Sequence, residues 1–247
     1  MKVSGGKPIY GATVGILMLE ARFPRIPGDM GHAATWPFPV HYKIVRSASP
    51  DRVVRQGASG LLDTFIAAAQ ELAADGVDGI TTNCGFLALF QKELASAVPV
   101  PVATSSLMQV AAVNSLLAPG RRAGVLTISL SALTAKHLEC AGVPAGTPLG
   151  TTEGGREFTR AILGDEPELD VEAARRDNVE AALAMQAAHP ELGAIVLECT
   201  NMTPYAADIR AATGLPTFSI ESFVTWFQSG LAPRRHPPPV GYPFRSG

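Results

Sequence analysis

Short apolar runs rich in β-branched residues alternate along the chain with longer runs rich in alanine and leucine. The short runs have the length and composition of buried strands, and the longer ones have the periodicity of helices. Strands that alternate with helices are typical of parallel sheets with right-handed crossovers. The predicted strands are 13–19, 41–46, 77–82, 99–104, 122–128, 193–198 and 215–220.

The segment 61–76 is the clearest predicted helix, with the sequence LLDTFIAAAQELAADG. Gly76 follows its last apolar position. Glycine readily adopts the left-handed conformation found just beyond helix ends, so we expect the helix to end at this residue.

The chain also contains an internal repeat. Cys84 and Cys199 lie 115 positions apart, and so do Pro101 and Pro216. Each half has a strand, a crossover, a strand that ends at a cysteine, a helix and a further strand. The repeat predicts two similar α/β units that face each other.

This arrangement predicts where the site lies. Two Rossmann-like lobes, each a mainly parallel sheet flanked by helices, would cover 1–117 and 118–220. Ligands in open α/β sheets bind beyond the carboxyl ends of the strands. We therefore expect the active site in the cleft between the lobes.

Two segments rich in proline and glycine fall outside the repeat. The loop 21–40 is long for a structureless connection, and such loops often act as lids. Its alternative interpretation is a surface loop that packs Trp36 and Phe38 against the body of the protein or against another subunit. The tail 232–247 is too rich in proline for a helix and is predicted to be an extended arm.

Composition narrows the classes of partner. The chain has 247 residues, a net charge of −2 and no long basic run, which argues against nucleic acid as a partner. No apolar run is long enough for a membrane helix, and the N-terminus lacks the pattern of a signal peptide. With three cysteines in a chain of this size, we expect reduced thiols and a cytoplasmic location.

The two repeated cysteines are the candidate reactive groups. A thiol between a strand and a helix lies near the positive end of the helix dipole, which lowers its pKa and favours the thiolate. The alternative is that both are small buried residues of the core. Two cysteines at equivalent positions, each beside polar residues, favour the functional interpretation. Cys140 follows His137 in an Ala- and Leu-rich helix and is interpreted as a packing cysteine.

The sequence gives no evidence for a metal or a nucleotide cofactor. Cys84 and Cys199 are far apart in sequence, and neither motif contains a histidine, whereas metal sites favour closely spaced cysteines and histidines. The glycines of the segments 10–15 and 153–157 do not have the spacing of a phosphate-binding loop. We therefore predict no metal and no cofactor.

Two thiols that face each other suit proton transfer at carbon. One cysteine as thiolate removes a proton from one face of a planar intermediate, and the other as thiol returns a proton to the opposite face. Nearby hydroxyls and amides stabilise the charge that develops on the substrate. The residues expected to supply these groups are Thr82, Asn83, Gly85, Thr200 and Asn201.

With both cysteine motifs in place, the chain resembles the aspartate/glutamate racemase superfamily. The resemblance covers nearly the whole chain and rests on the segments GIL (15–17), TNCGF (82–86), GVLT (124–127) and ECTNM (198–202), with PVPVATSS and LPTFSIES further along each lobe. Members include cofactor-independent amino-acid racemases, hydantoin racemases, maleate cis–trans isomerases and arylmalonate decarboxylases. The resemblance implies lobes related by a pseudo-twofold axis, with the C-terminal segment 221–247 joined to the first lobe.

The resemblance also implies roles for particular residues. The paired cysteines of the family map onto Cys84 and Cys199, and its carboxylate-binding Thr-Asn maps onto Thr200 and Asn201. This chain departs from the amino-acid racemases after the first cysteine, where it has Gly85-Phe86 in place of Asn-Thr. Phe86 brings an aromatic group to the expected site, which favours a substrate less polar than aspartate or glutamate.

These observations lead to one main hypothesis and several alternatives. The main hypothesis is a cofactor-independent racemase or epimerase of a small amino acid or related carboxylic acid, with Cys84 and Cys199 as the two bases. The alternatives are a maleate-type isomerase with a covalent cysteine, a hydantoin-type racemase, and a two-lobed protein that only binds a small acid. Both cysteines together argue against the decarboxylase branch. We expect a homodimer or a higher homo-oligomer, and we interpret Arg22 and Arg25 as solvated or interface charges rather than ligands of a second carboxylate.

Overall fold

The computed structural model describes residues 2–234 and 236, and in this part of the chain eight strands form two four-stranded sheets. Every strand pairs in parallel with its neighbours. The strands are β1 Val14–Leu19, β2 Val40–Val45, β3 Gly79–Thr82, β4 Val102–Ala103, β5 Arg122–Thr127, β6 Leu149–Thr151, β7 Leu192–Leu197 and β8 Thr217–Phe218.

Helices connect the strands within each sheet and follow them at their carboxyl ends. The α-helices of the described residues are α1 Pro50–Val54, α2 Leu62–Asp75, α3 Gln91–Ala97, α4 Val110–Leu116, α5 Ala135–Cys140, α6 Phe158–Leu163, α7 Val171–Ala188, α8 Ala206–Thr213 and α9 Ile220–Leu231. In this same part of the chain, three short 3₁₀ helices span Gly85–Phe90, Ser106–Gln109 and Thr200–Tyr205.

The two sheets have the same topology. The strand order is β2-β1-β3-β4 in the first sheet and β6-β5-β7-β8 in the second. All six residues of β1 are buried, as expected for a parallel strand covered on both faces. The predicted fold class, two α/β lobes that each contain a parallel sheet, is confirmed.

Most element predictions agree with the structure, and the differences have simple causes. All seven predicted strands are present, although β4 and β8 are only two residues long. The helix α2 ends at Asp75, and Gly76 follows it with φ of +99° in the left-handed region. The sequence missed β6, a three-residue edge strand. A glycine is needed at its central position, Gly150, because Met185 of α7 packs against the backbone there.

Helix α9 packs on the sheet of the first lobe although it follows the last strand of the second. Ile220, Phe223 and Val224 share a buried cluster with Val14 and Ile16 of β1. The helix begins in a capping box at Ser219 and Ser222. The tail predicted at 232–247 lies outside the described residues, apart from 232–234 and 236.

The loop 21–40 folds onto the body of its own chain. Trp36 is buried, its indole N–H donates to the carbonyl of Met30 at 3.1 Å, and its ring lies 5.7 Å from that of Phe38 between centroids. The same loop contributes Asp29, a buried carboxylate. The loop is therefore packed into the body of the protein and is not a detached surface loop.

None of the helices in residues 2–234 and 236 combines the length and the apolar character that crossing a bilayer requires.

Candidate active site

Cys84 and Cys199 occupy equivalent places in the two lobes. Cys84 follows β3 and immediately precedes the 3₁₀ helix Gly85–Phe90, and Cys199 follows β7 and immediately precedes the 3₁₀ helix Thr200–Tyr205. Both cysteines have extended backbone conformations and stand at the cap positions of these helices. The equivalence predicted from the repeat is therefore present in the backbone.

The two cysteines line one pocket between the sheets. Seven of the eight predicted site residues contribute to its wall, and only Thr82 does not. Its lining residues are Leu19, Phe23, Pro50, Val54, Asn83, Cys84, Gly85, Phe86, Ile128, Ile162, Leu163, Glu198, Cys199, Thr200 and Asn201.

Thr82 supports the first cysteine from behind the pocket. Its hydroxyl donates to the carbonyl of Thr104 at 2.7 Å, and the backbone N–H of Cys84 donates to the Thr82 hydroxyl oxygen at 3.4 Å. Asn83 is also held in place, because its side-chain Oδ1 accepts a hydrogen bond from the backbone N–H of Leu19 at 2.7 Å. These bonds fix the turn that presents Cys84.

Hydrogen bonds across the cleft hold the two cysteine turns together. The hydroxyl of Thr200 donates to the backbone carbonyl of Asn83 at 2.7 Å. The hydroxyl of Ser106 donates to the carbonyl of Leu197, at the end of β7, at 2.6 Å. The side chain of Thr200 thus joins the lobes. Its hydroxyl proton is used in the bond to Asn83 in this structure.

The loop 21–40 reaches the second cysteine through a chain of buried polar groups. The thiol of Cys199 donates to Oδ1 of Asn201 at 3.6 Å, and Nδ2 of Asn201 donates to Oδ2 of Asp29 at 2.5 Å. The other oxygen of Asp29 accepts from the guanidinium of Arg25 at 2.8 Å. Asn201 therefore links the loop to Cys199.

The arginines of this loop are both engaged with carboxylates of the protein. Arg25 pairs with Asp29 as described, and Arg22 pairs with Asp165 of the second lobe at 3.2 Å between Nε and Oδ2. The backbone N–H of Arg22 also donates to Asp165 at 2.5 Å. Neither arginine lines the pocket.

Burial dominates the protonation of both thiols. It raises the pKa of Cys84 and of Cys199, and the neighbouring carboxyl of Glu198 adds to the rise. The backbone N–H groups of Phe86 and Leu87 oppose this at Cys84, and that of Asn201 opposes it at Cys199. The prediction that a helix start would lower the pKa of at least one thiol is wrong here, because the loss of hydration outweighs the helix N–H groups.

Glu198 is a titratable residue of the pocket that the sequence-based prediction missed. It lies between the last residue of β7 and Cys199, is fully buried and lines the pocket. Its Oε2 accepts a hydrogen bond from the hydroxyl of Thr127 at 2.7 Å. Burial raises the pKa of Glu198 to about 7, while the Thr127 hydroxyl and the backbone N–H of Ile128 oppose the rise.

A signal for Glu198 was present in the sequence. The run GAIVLE places a charged residue at the end of an apolar strand and directly before the cysteine. Charged residues are rarely buried without a functional or paired role, so this position could have been included. Asp29 and Phe23 had no comparable signal, because they belong to an irregular loop with no periodic pattern.

The titratable groups of the pocket do not form a metal site. Among residues 2–234 and 236, no three His, Cys, Asp or Glu side chains are grouped closely enough to hold a metal ion. The arrangement instead offers two thiols and one carboxyl group in an apolar enclosure. Such groups can accept, store and return a proton.

The chain is similar over most of its length to algal lyases. It is 29% identical over 229 residues to a dimethylsulfoniopropionate lyase from Durusdinium sp. clade D, an alignment that covers 89% of this chain and 75% of that protein. It is 28% identical over 239 residues to dimethylsulfoniopropionate lyase 7 from Emiliania huxleyi (strain CCMP1516), covering 89% and 67%. No protein-family model matches the chain.

Solved structures with the same fold have lower sequence identity. A glutamate racemase from Bacillus anthracis aligns with a TM-score of 0.58 and 14% identity, covering 89% of this chain and 82% of that one. An unliganded arylmalonate decarboxylase aligns with a TM-score of 0.54 and 17% identity, covering 94% and 96%. The chain therefore shares the fold of these racemase and decarboxylase structures, as the resemblance to their superfamily implied.

Proposed function

We propose that the protein is a cofactor-independent enzyme that removes a proton from the carbon next to a carboxylate, with Cys84 and Cys199 as its proton-transfer groups. The observation that carries the proposal is the position of both thiols in one buried pocket, each at the start of a helix. The described lining contains no other group with the basicity of a thiolate.

We further propose that this proton transfer leads to β-elimination from a β-sulfonio carboxylate. The curated relatives that match about nine-tenths of the chain are named for dimethylsulfoniopropionate, a carboxylate with a dimethylsulfonium group two carbons away. The racemase and decarboxylase structures support the fold alone. The sequence-based hypothesis of a racemase accordingly becomes the second candidate.

The elimination has a simple balance of atoms and electrons. The thiolate of one cysteine takes the proton from the carbon next to the carboxylate. The electron pair of that C–H bond forms the carbon–carbon double bond, and the bond from the β-carbon to sulfur breaks. Dimethyl sulfide leaves with the electron pair, and acrylate remains. Backbone N–H groups at the start of the 3₁₀ helices stabilise the charge that develops on the carboxylate.

The raised pKa values of the thiols set a requirement on the substrate. With both cysteines protonated, neither can act as a base. A positively charged substrate in the pocket lowers the pKa of a nearby thiol, because an opposite charge favours the ionised form. A sulfonium carboxylate meets this requirement, whereas a substrate that carries only negative charge does not.

Racemisation remains the second candidate because the two thiols are equivalent in the backbone. A two-base exchange needs a proton donor on each face of the substrate, which one cysteine from each lobe supplies. In that case the substrate is an amino acid or a related acid without a leaving group. Elimination needs only one base.

Proton NMR in deuterated water separates the two reactions. The protein is incubated with dimethylsulfoniopropionate in one arm and with the separate enantiomers of small amino acids in the other. Acrylate signals in the first arm support the lyase. Deuterium incorporation at the carbon next to the carboxylate, with inversion, in the second arm supports the racemase. Neither acrylate nor deuterium incorporation in any arm would contradict the proposed proton chemistry.

A further inference from the structure

One oxygen of the buried Glu198 carboxyl has no partner. Oε2 is bound by Thr127, but Oε1 has no hydrogen-bond partner among the described residues. Glu198 is fully buried and is one of the residues that line the pocket of Cys84 and Cys199, with its Oε1 lying against Gly85. An unpartnered carboxyl oxygen at such a place costs stability unless a ligand completes it.

The described lining of the pocket also lacks a positive charge that would balance Glu198. It contains no lysine, arginine or histidine. Arg25 of the loop 21–40 is near the second cysteine turn, but its guanidinium is paired with Asp29 at 2.8 Å. Glu198 in its ionised form therefore needs a counter-charge that a ligand can supply.

The other walls define what kind of cation fits. Most of the lining is apolar, and it includes two aromatic rings. Eight of the fifteen lining residues have apolar side chains, among them the rings of Phe23 and Phe86 and the branched side chains of Ile128 and Ile162. A primary ammonium would leave N–H donors unsatisfied against such walls. A fully alkylated sulfonium or ammonium has no N–H donor, and its methyl groups pack on apolar and aromatic surfaces.

We propose that ionised Glu198 is the counter-ion of a fully alkylated, positively charged β-substituent and so determines the substrate class of this pocket. This inference rests on the proposed function, because it names the residue that binds the charged end of the substrate, opposite the carboxylate. The same contact explains how the site becomes active. A cation placed between Glu198 and the thiols offsets the negative charge that disfavours the thiolate.

A matched pair of non-reacting ligands tests the proposal by binding alone. The first is 3-(trimethylammonio)propanoate, which carries the cation. The second is 4,4-dimethylpentanoate, which has the same shape with a neutral carbon in place of nitrogen. Titration calorimetry measures both with the wild-type protein and with Glu198→Gln. Glu153→Gln is the control, since Glu153 is a carboxylate of the same lobe that does not line the pocket.

At pH 8 we expect the wild type and Glu153→Gln to bind the cationic ligand at least tenfold more tightly than its neutral counterpart. Glu198→Gln should lose this preference and bind the neutral ligand about as well as the wild type does. Equal affinity of the wild type for the two ligands would overturn the inference, and so would a preference that survives in Glu198→Gln. If neither ligand binds, β-substituted carboxylates are excluded as ligands of this pocket, and the inference is overturned as well.

The dependence on pH gives a second readout. The groups that face Glu198 are the thiols of Cys84 and Cys199, which burial keeps protonated, and the Thr127 hydroxyl; Asp29 is paired with Arg25. The preference for the cation should therefore grow as the pH rises through the pKa of Glu198. In Glu198→Gln the rise around the pKa of Glu198 should be absent, which leaves only a rise at higher pH, where the bound cation favours a thiolate. A wild-type preference that is flat between pH 5.5 and pH 8.5 would contradict the assignment. This binding test does not depend on turnover, so it separates failure of the counter-ion assignment from failure of the elimination chemistry.

Discussion

The carboxyl group of Glu198 lies where a side chain at position 85 would be. A Cβ built on Gly85 would come within 2.2 Å of Oε1 of Glu198 and within 2.4 Å of its backbone oxygen. Gly85 is also the residue at which this chain departs from the amino-acid racemases that it resembles. The missing side chain on one lobe therefore makes room for a carboxyl group from the other.

Gly85→Ala tests this relationship. The added methyl group forces Glu198 and its backbone away from the first cysteine turn, and overpacking of this kind costs about 1–3 kcal/mol of folding free energy. We expect that loss in urea unfolding, together with loss of activity.

Gly154→Ala is the matched control, because a Cβ there meets no atom within 4 Å. It should change the unfolding free energy by less than about 0.5 kcal/mol. An unfolding free energy of Gly85→Ala equal to that of the wild type would show that the two residues are not in close contact.

Burial of Glu198 predicts how stability depends on pH. Its folded-state pKa of about 7 lies above the ordinary value of 4.5, so the folded protein holds this proton over a range in which the unfolded chain has lost it. The contribution of Glu198 to stability therefore falls as the pH rises from about 4.5 to about 7 and is level above that. The total change is about 3 kcal/mol.

Chemical denaturation of the wild type and of Glu198→Gln checks this sign. The stability of the variant relative to the wild type should increase between pH 4.5 and pH 8 by an amount of that order, because glutamine does not titrate. A difference between the two proteins that stays constant over this range would show that Glu198 titrates normally.

The protonated thiols should react slowly with alkylating agents. Cys84 and Cys199 are buried and their pKa values are raised, whereas Cys140 is partly exposed. In the ligand-free protein at pH 7.5, iodoacetamide followed by peptide mass spectrometry should label Cys140 first, and the other two at least about tenfold more slowly. Faster labelling of Cys84 or Cys199 than of Cys140 would mean that a thiolate is present in the resting site.

Asp29 should hold the loop 21–40 over the second cysteine. Asp29→Ala removes the acceptor of the Asn201 amide and leaves the guanidinium of Arg25, largely buried, without its carboxylate. Breaking such a buried pair costs about 3 kcal/mol. We expect this loss in unfolding experiments and faster hydrogen exchange in the backbone of the loop.

Glu71→Ala provides the comparison for this variant, because Glu71 forms an exposed pair with Lys43. Exposed pairs contribute less than about 1 kcal/mol, so both stability and loop exchange should stay close to those of the wild type. If Asp29→Ala behaved like Glu71→Ala, the loop would not depend on the buried chain of hydrogen bonds.

The sequence predicted those features that repeat or have a period. Seven of the eight strands in the described residues, the end of α2 just before Gly76 and the equivalent places of Cys84 and Cys199 all followed from patterns in the chain. Parallel strands that are buried on both faces leave an apolar signal, and the repeat marks the same position in each lobe. These patterns were enough to predict the fold, and seven of the eight residues predicted for the site line one pocket.

The features that the sequence did not predict depend on contacts between distant segments. The bond from Asn201 to Asp29 joins residues 172 positions apart, and nothing periodic marks either partner. The prediction of a lowered thiol pKa was wrong because burial, which sequence patterns do not reveal, has a larger effect on the pKa than the helix N–H groups. The role of Thr200 in joining the lobes likewise requires the position of the Asn83 carbonyl in the other lobe.

The central claim is that Cys84 and Cys199 supply the proton-transfer groups for elimination from a β-sulfonio carboxylate. The most direct measurement is the rate of acrylate and dimethyl sulfide formation from dimethylsulfoniopropionate by the wild type, Cys84→Ser, Cys199→Ser and the double variant. Cys140→Ser serves as the control.

We expect the wild type and Cys140→Ser to form the two products in equal amounts. At least one single variant, and the double variant, should be slower by about a thousandfold, because an alcohol is a far weaker acid and base than a thiol near neutral pH. Loss in only one single variant indicates a single base, and loss in both indicates that the thiols act together. A double variant that forms acrylate at the wild-type rate, or a wild type that forms none, would contradict the claim.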